Sequence, residues 1–157
     1  MKITDIVDAR AVVPQLKASN KKQVLQEIAQ QLAGLIAVDQ RIIFETLLTR
    51  EKLGSTGLGQ GIAIPHGRIA GLKQVAGFFA KLVPPIEYDA VDGKPVDLVF
   101  ALLSPDHAGA DHLTALAKIS RIMRSSSALA KLRANNTAEG LYAVLTEPMA
   151  ALPATAA

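Results

Sequence analysis

The sequence predicts a layered α/β domain, and three observations lead there. Short apolar runs of strand length alternate with longer segments whose apolar residues recur at helical spacing. The run Val96–Leu103 is apolar on both faces, as a strand covered by two layers must be. Helical segments fall on both sides of that run along the chain, enough to cover both faces of a sheet. The 157 residues suit one domain, and no linker rich in Gly, Ser or Pro divides them. Residues 1–147 form that domain in this reading. Pro148–Ala157, which carries no charged side chain and five alanines, reads as a flexible tail.

The elements follow in order. Ala11–Val13 predicts a short strand ended by Pro14. A helix is expected from Lys21 to about Ala37, with Asn20 as N-cap and Gln23 three residues on, as in a capping box. Its apolar residues Val24, Ile28, Leu32, Leu35 and Ile36 share one face. A second helix runs from about Gln40 to Leu53, capped by Asp39, with Ile43, Phe44, Leu47 and Leu48 inward and Gly54 placed for a left-handed C-terminal cap. Ile62–Ile64 is a short buried strand stopped by Pro65, and Val75–Leu82 is another. Asp92-Gly93 marks a hairpin between Ile86/Tyr88 and the strand Val96–Leu103. Three helices close the domain, at about Ala110–Arg124, Ala128–Ala134 and Ala138–Thr146. The first of these would face inward through Leu113, Leu116, Ser120 and Met123.

Composition excludes several classes of function. There is no cysteine, hence no disulfide framework, thiolate metal site or cysteine nucleophile. The longest clean apolar runs fall far short of the ~20 residues of a membrane span, and Met1–Asp5 lacks the apolar stretch of a signal peptide. A cytoplasmic protein that is not membrane-embedded is the expectation. A net charge of +3 points only weakly to nucleic acid. The basic residues are scattered, and four Phe, two Tyr and no Trp leave little for base stacking. No nucleic-acid partner is expected.

The loop Gly54-Ser55-Thr56-Gly57-Leu58-Gly59-Gln60-Gly61 holds four of the eleven glycines. It is neither a P-loop, since no lysine follows, nor a dinucleotide fingerprint, since it lies after a helix and before a strand. Two readings stay open: a loop that needs positive φ at several points, or a nest of donors for an anion, built from the Ser55, Thr56 and Gly57 amides and hydroxyls.

Ile62-Ala63-Ile64-Pro65-His66-Gly67-Arg68 sets His66 at a strand end, between a proline and a glycine. A lone histidine is more often a packed structural residue, but this one follows a donor-rich loop that Arg50 precedes. That set suits nucleophilic attack by imidazole on phosphorus, because a neutral ring is available near cellular pH. A carbonyl holding Nδ1–H would leave Nε2 free to attack, and Arg50 with the Ser55–Gly57 amides could face the equatorial oxygens. No cofactor or metal is then required. Arg50 would also suit the last turn of a helix as a cation. His112 falls in the first turn of a helix, where a capping-region role and a place beside a phosphate are both open. His107 reads as surface.

Arg50-Glu51-Lys52-Leu53-Gly54-Ser55-Thr56-Gly57, followed by Gly61-Ile62-Ala63-Ile64-Pro65-His66-Gly67, resembles the signature of the mannitol/fructose-type enzyme IIA domain of the phosphoenolpyruvate-dependent phosphotransferase system. The form Gly-Ser-Thr-Gly-Leu-Gly is similar to the nitrogen-regulatory branch of that family, and the resemblance spans about residues 1–147. It implies a three-layer domain, a mixed β-sheet flanked by helices on both faces. It implies that His66 carries a phosphoryl group on Nε2, received from an HPr-like phosphocarrier, with Arg50 steadying the phosphate and His112 beside His66. It also implies regulated target proteins, including potassium transport and its sensor kinases. No fused enzyme IIB or membrane IIC segment accompanies the domain in this sequence, which fits a regulator better than a sugar permease component.

Rival readings are a sugar-specific enzyme IIA that passes phosphate to an enzyme IIB, and a metal-dependent hydrolase using Asp106, His107, Asp111 and His112. A ligand-binding module with no covalent step is a third. A serine hydrolase has no support, since Ser55 lies outside any nucleophile elbow.

Overall fold

The computed structural model describes residues 1–147. The expected tail, 148–157, lies outside the described residues. The chain runs α1 (Ile3–Ile6), β1 (Val7–Leu16), α2 (Lys21–Ile36), α3 (Gln40–Lys52), β2 (Gly57–Gly59), β3 (Ile62–Ala63), β4 (His66–Ile69), β5 (Ala76–Ile86), β6 (Val96–Pro105), α4 (Gly109–Met123), α5 (Ser126–Ala134) and α6 (Ala138–Leu145). The six-stranded sheet has the order β1-β5-β6-β3-β2, and β4 extends the β3 side along β6. It is mixed: β1 is parallel to β5, β5 antiparallel to β6, and β3 and β4 parallel to β6. Helices α2 and α3 pack together over one face, and α4, α5 and α6 over the other.

The central strand is β6, and its doubly apolar run has the expected result. Leu98, Val99, Phe100, Ala101, Leu102 and Leu103 are all fully buried, with both faces covered. The β5–β6 pair is an antiparallel hairpin, but Asp92-Gly93 turns within a nine-residue connection (87–95) rather than forming a two-residue loop.

Helix α2 begins at the expected cap. Asn20 Oδ1 accepts from the Gln23 amide at 2.9 Å, satisfying one of the free first-turn donors. The reciprocal bond goes one residue upstream of a capping box, from the Ser19 amide to Gln23 Oε1. Asp39 caps α3 by accepting from the Arg41 amide at 2.8 Å.

Several expectations are corrected. β1 is ten residues long and runs through Pro14, because an edge strand tolerates a missing donor and the register with β5 shifts between Val13 and Leu16. α1 had no sequence signal beyond one turn. Gly54 takes φ 156°, positive but far from the ~57° of a left-handed helical cap, and Leu53 ends α3 in right-handed geometry. Met123 is buried as expected, but along the rest of α4 the inward face lies one position away from the expected one. His112, Ala115, Ile119, Ile122 and Met123 are buried, while Leu113 is 66% exposed. His66 opens a strand of its own, β4, rather than ending the previous one, and Ser104 and Pro105 belong to β6 rather than to the loop after it.

Candidate functional site

β4 places His66, and its register explains which groups meet there. His66 pairs with Leu102 of β6, Gly67 with Leu103, and Arg68 with Ser104. Side chains alternate along a strand, and paired residues of parallel strands share a face. His66, Arg68 and Ser104 therefore lie on one face, and Gly67 lies on the other. A Cβ added to Gly67 would meet Thr46 of α3, so the Gly67 face is the one α3 covers. The His66 face is the one α4 covers.

His112, in the first turn of α4, stands there beside His66. The ring centroids are 5.9 Å apart and the planes are inclined by 51°. His66 is half-buried, and its Nδ1 lies 2.9 Å from the Ile64 carbonyl oxygen. A carbonyl only accepts, so Nδ1 carries the proton and the neutral ring presents a lone pair at Nε2. His112 is buried, and a hydrogen bond of 2.7 Å joins its Nδ1 to Ser104 Oγ. Burial holds the His112 ring below its ordinary value of 6.5, and the positive charge of Arg68 pushes the same way.

The sequence-predicted residues are not all gathered here. His66 and His112 meet. Arg50 lies in the last turn of α3, one turn on from Thr46, and its Nη1 donates to the Gly54 carbonyl at 2.8 Å. Among the described residues no hydrogen bond joins it to either histidine.

Four donors of the Ser55–Gly57 stretch are committed to other partners. The Thr56 amide donates to Glu51 Oε2 at 2.8 Å, and the Thr56 hydroxyl donates to Glu51 Oε1. Ser55 Oγ accepts from the Gly57 amide at 3.1 Å and donates to the Tyr88 carbonyl. The expected nest of donors is corrected for the Thr56 and Gly57 amides and the Ser55 and Thr56 hydroxyls, which these bonds take up, whereas the Ser55 amide makes no hydrogen bond among the described residues. A backbone reason for Gly57 takes its place, since an added Cβ would stand 2.9 Å from the Ala90 Cα.

Glu51 is 6% exposed, with Lys21 Nζ at 3.0 Å and Lys21 above the Tyr88 ring. Burial and the Glu51 carboxylate both raise the Tyr88 hydroxyl pKa strongly. This cluster ties the loop to α2, α3 and the β5–β6 connection.

The metal-hydrolase residues do not converge. His107 has 78% of its side chain exposed, His112 is turned to Ser104, and among the described residues no three His, Asp or Glu side chains could hold a metal ion together. Among those residues, too, no helix is long and apolar enough to cross a membrane.

Sequence reasoning missed two residues of the site, Arg68 and Ser104. Arg68 sits two residues beyond His66, a spacing that means one face only if the strand continues past His66. Ser104 is a polar residue closing an apolar run, and ending that strand at Leu103 hid its phase.

Comparison with known proteins identifies the family. Residues 5–147 match the family model for the phosphoenolpyruvate-dependent sugar phosphotransferase system, EIIA 2. A nitrogen regulatory protein from Bradyrhizobium diazoefficiens is 51% identical over 157 residues, covering all of both chains. The crystal structure of the nitrogen regulatory protein IIA-Ntr from Neisseria meningitidis superposes with a TM-score of 0.87 at 41% identity, covering 92% of this chain and 99% of that one. Enzyme IIAMTL from Escherichia coli, solved in complex with phosphorylated enzyme IIBMTL, shares the fold alone. Its TM-score is 0.75 at 17% identity, with 91% and 100% of the two chains covered. By sequence and by fold, the chain belongs to the EIIA type 2 family of the phosphotransferase system, in its nitrogen-regulatory branch.

Proposed function

We propose that the chain is a phosphoryl carrier that accepts its phosphoryl group on His66 from an HPr-like phosphocarrier and regulates target proteins by its phosphorylation state. The observation that supports this most is the 2.9 Å contact between His66 Nδ1 and the Ile64 carbonyl. It fixes the tautomer before the donor arrives, so no proton has to move for attack. The Nε2 lone pair forms the new N–P bond while the N–P bond to the donor's histidine breaks, and that bonding pair returns to the donor ring. The proton on Nδ1 stays where it is, held by the carbonyl.

The developing phosphate charge meets His112 and Arg68 on the same face. Arg50 contributes on this reading by turning from the Gly54 carbonyl toward the phosphate. The Thr56 and Gly57 amides and the Ser55 and Thr56 hydroxyls support the loop rather than binding phosphate.

Phosphorylation adds about −1.5 to −2 charges at the His66 surface, on a chain of net charge +3. A target that distinguishes the two forms needs contacts that differ between them. Potassium transport and its sensor kinases are the targets the family resemblance implies, and the cytoplasm is the compartment where they and the carrier would be met.

The test is reconstitution with phosphoenolpyruvate, enzyme I and the carrier, read by intact mass. One acid-labile phosphate is expected, mapped to His66 and absent in His66→Ala. A phosphate on any other residue overturns the proposal.

A further inference from the structure

We propose that Ser104 is a positioning residue: its hydroxyl donates to Nδ1 of His112, keeps that ring's proton on Nε2, and so makes His112 a hydrogen-bond donor beside the nucleophilic ring of His66. Ser104 is completely buried on β6, and its Oγ lies 2.7 Å from His112 Nδ1. Among the described residues its hydroxyl makes no other hydrogen bond.

That leaves two arrangements. If His112 carried its proton on Nδ1, the ring would donate to Ser104, and the serine's own hydrogen would be buried with no acceptor. Native interiors avoid unmet buried donors. If the serine donates instead, its hydrogen is satisfied, Nδ1 accepts, and the neutral ring places its proton on Nε2. The second arrangement leaves no buried donor unmet.

The two histidines are thereby set in opposite tautomers by the chemistry of what faces Nδ1. A carbonyl faces His66 and forces Nδ1–H. A hydroxyl faces His112 and supplies the hydrogen. With ring centroids 5.9 Å apart, one ring offers a lone pair and the other an N–H. Burial keeps the His112 ring in its neutral form to lower pH than usual, so it can donate without bringing a second full charge beside Arg68. During transfer to His66, an N–H on this neighbouring ring can donate to an equatorial oxygen of the phosphoryl group. A carbonyl in place of the serine would leave a lone pair at Nε2 of His112, repelling those oxygens.

The tautomer assignment stands on the free protein, whereas its use toward phosphate rests on the reading of His66 as the acceptor. Ring nitrogen NMR of the unphosphorylated wild-type chain, above the pH where either ring titrates, tests the first. Protonated Nε2 on His112 and protonated Nδ1 on His66 are expected, and a protonated Nδ1 on His112 overturns the proposal. Ser104→Ala should give His112 a mixture of tautomers. It should also slow single-turnover phosphorylation about three- to tenfold, the worth of one hydrogen bond. Ser104→Thr, which keeps the hydroxyl, should restore both. An unchanged tautomer or an unchanged rate in a folded Ser104→Ala overturns the positioning role. A phosphate mapped away from His66 would instead defeat the carrier reading and leave the NMR result to judge the tautomer.

Discussion

Gly67 and Thr46 are in contact across the interface of β4 and α3 so closely that a Cβ on Gly67 would stand 2.5 Å from Thr46 Cγ2. This contact sets the orientation of the site. It seats α3 on one face of β4 and leaves His66 and Arg68, on either side of the glycine, facing α4. The glycine is required by close approach, since it is not among the positive-φ residues.

Gly67→Ala should therefore destabilise the domain by about 1–3 kcal/mol, the usual cost of overpacking a tight contact. Thr46→Ser removes Cγ2 and keeps the hydroxyl that bonds the Ile42 carbonyl, so the double variant should recover most of the loss. Urea midpoints of the four chains check this. Simple additivity of the two single changes would mean that the contact is not the cause.

Stability should depend on pH through His112. Its folded value lies below the ordinary 6.5, so between those two values the unfolded chain binds more protons than the folded one. The contribution is therefore complete above 6.5 and is lost as pH falls through the folded value. Asp8 and Asp92 are also held below their ordinary 3.8, by hydrogen bonds from Arg10 and from the Gln60 and Lys94 amides. Their losses come only under much more acidic conditions. Denaturation at about pH 7.5 and about pH 5.5 should show a drop in the wild type that His112→Gln diminishes. Equal drops in both chains would remove His112 from the explanation.

Arg68 is exposed, and among the described residues its Nη1 makes only a long contact, 3.5 Å, with the Asp106 carbonyl. Its charge is thus available to a phosphate on His66. Arg68→Ala should slow phosphorylation about two- to fivefold, as befits an exposed charge pair, and the difference should shrink with added salt. The same change should raise the His112 titration midpoint, because a neighbouring positive charge is gone. A midpoint that stays put in a ring NMR titration would show that Arg68 does not act on this site.

Glu51 has four donors around it in a buried position: Lys21 Nζ, the Thr56 amide and hydroxyl, and the Tyr88 hydroxyl. Glu51→Ala leaves the Thr56 amide and one of the Thr56 and Tyr88 hydroxyl hydrogens without an acceptor, the two hydroxyls still bonding each other at 3.2 Å, and should cost about 2–4 kcal/mol. The check is the urea midpoint. A loss below about 1 kcal/mol, within the range of an exposed pair, would mean that water replaces the carboxylate freely.

What the sequence made legible follows from how local each cause is. Asn20 and Asp39 cap their helices with amides two or three residues away, and β6 needs both faces apolar because it is covered twice. Pairing partners are not local, and the misses lie there. β1 continues past Pro14 because, among the described residues, its outer edge is unpaired, a fact about sheet order. His66 starts a new strand because Leu102 is available to pair with, and only then do Arg68 and Ser104 fall on its face. Leu113 looked inward by apolar spacing, yet α4 buries the polar His112 at that end, so the face turned by one position. Thr56 looked free as a donor until the chain folded Glu51 back onto it.

Arg50 has two possible duties, and one substitution separates them. As a cation in the last turn of α3 it completes the helix end through the Gly54 carbonyl, at 2.8 Å, and its loss should cost only about 0.3–1 kcal/mol. As a ligand to the phosphate it would stabilise the transferring group, and its loss should slow phosphorylation roughly 10²–10³-fold. Both effects are expected in Arg50→Ala, because the capping bond is exposed and a phosphate with full negative charge outcompetes a neutral carbonyl. Arg50→Lys keeps the charge without the planar fork and should recover only part of the rate. Paired single-turnover and urea measurements give the answer. A rate equal to wild type, with the small stability loss still present, would confine Arg50 to the helix end and leave Arg68 and His112 as the groups that meet the phosphate.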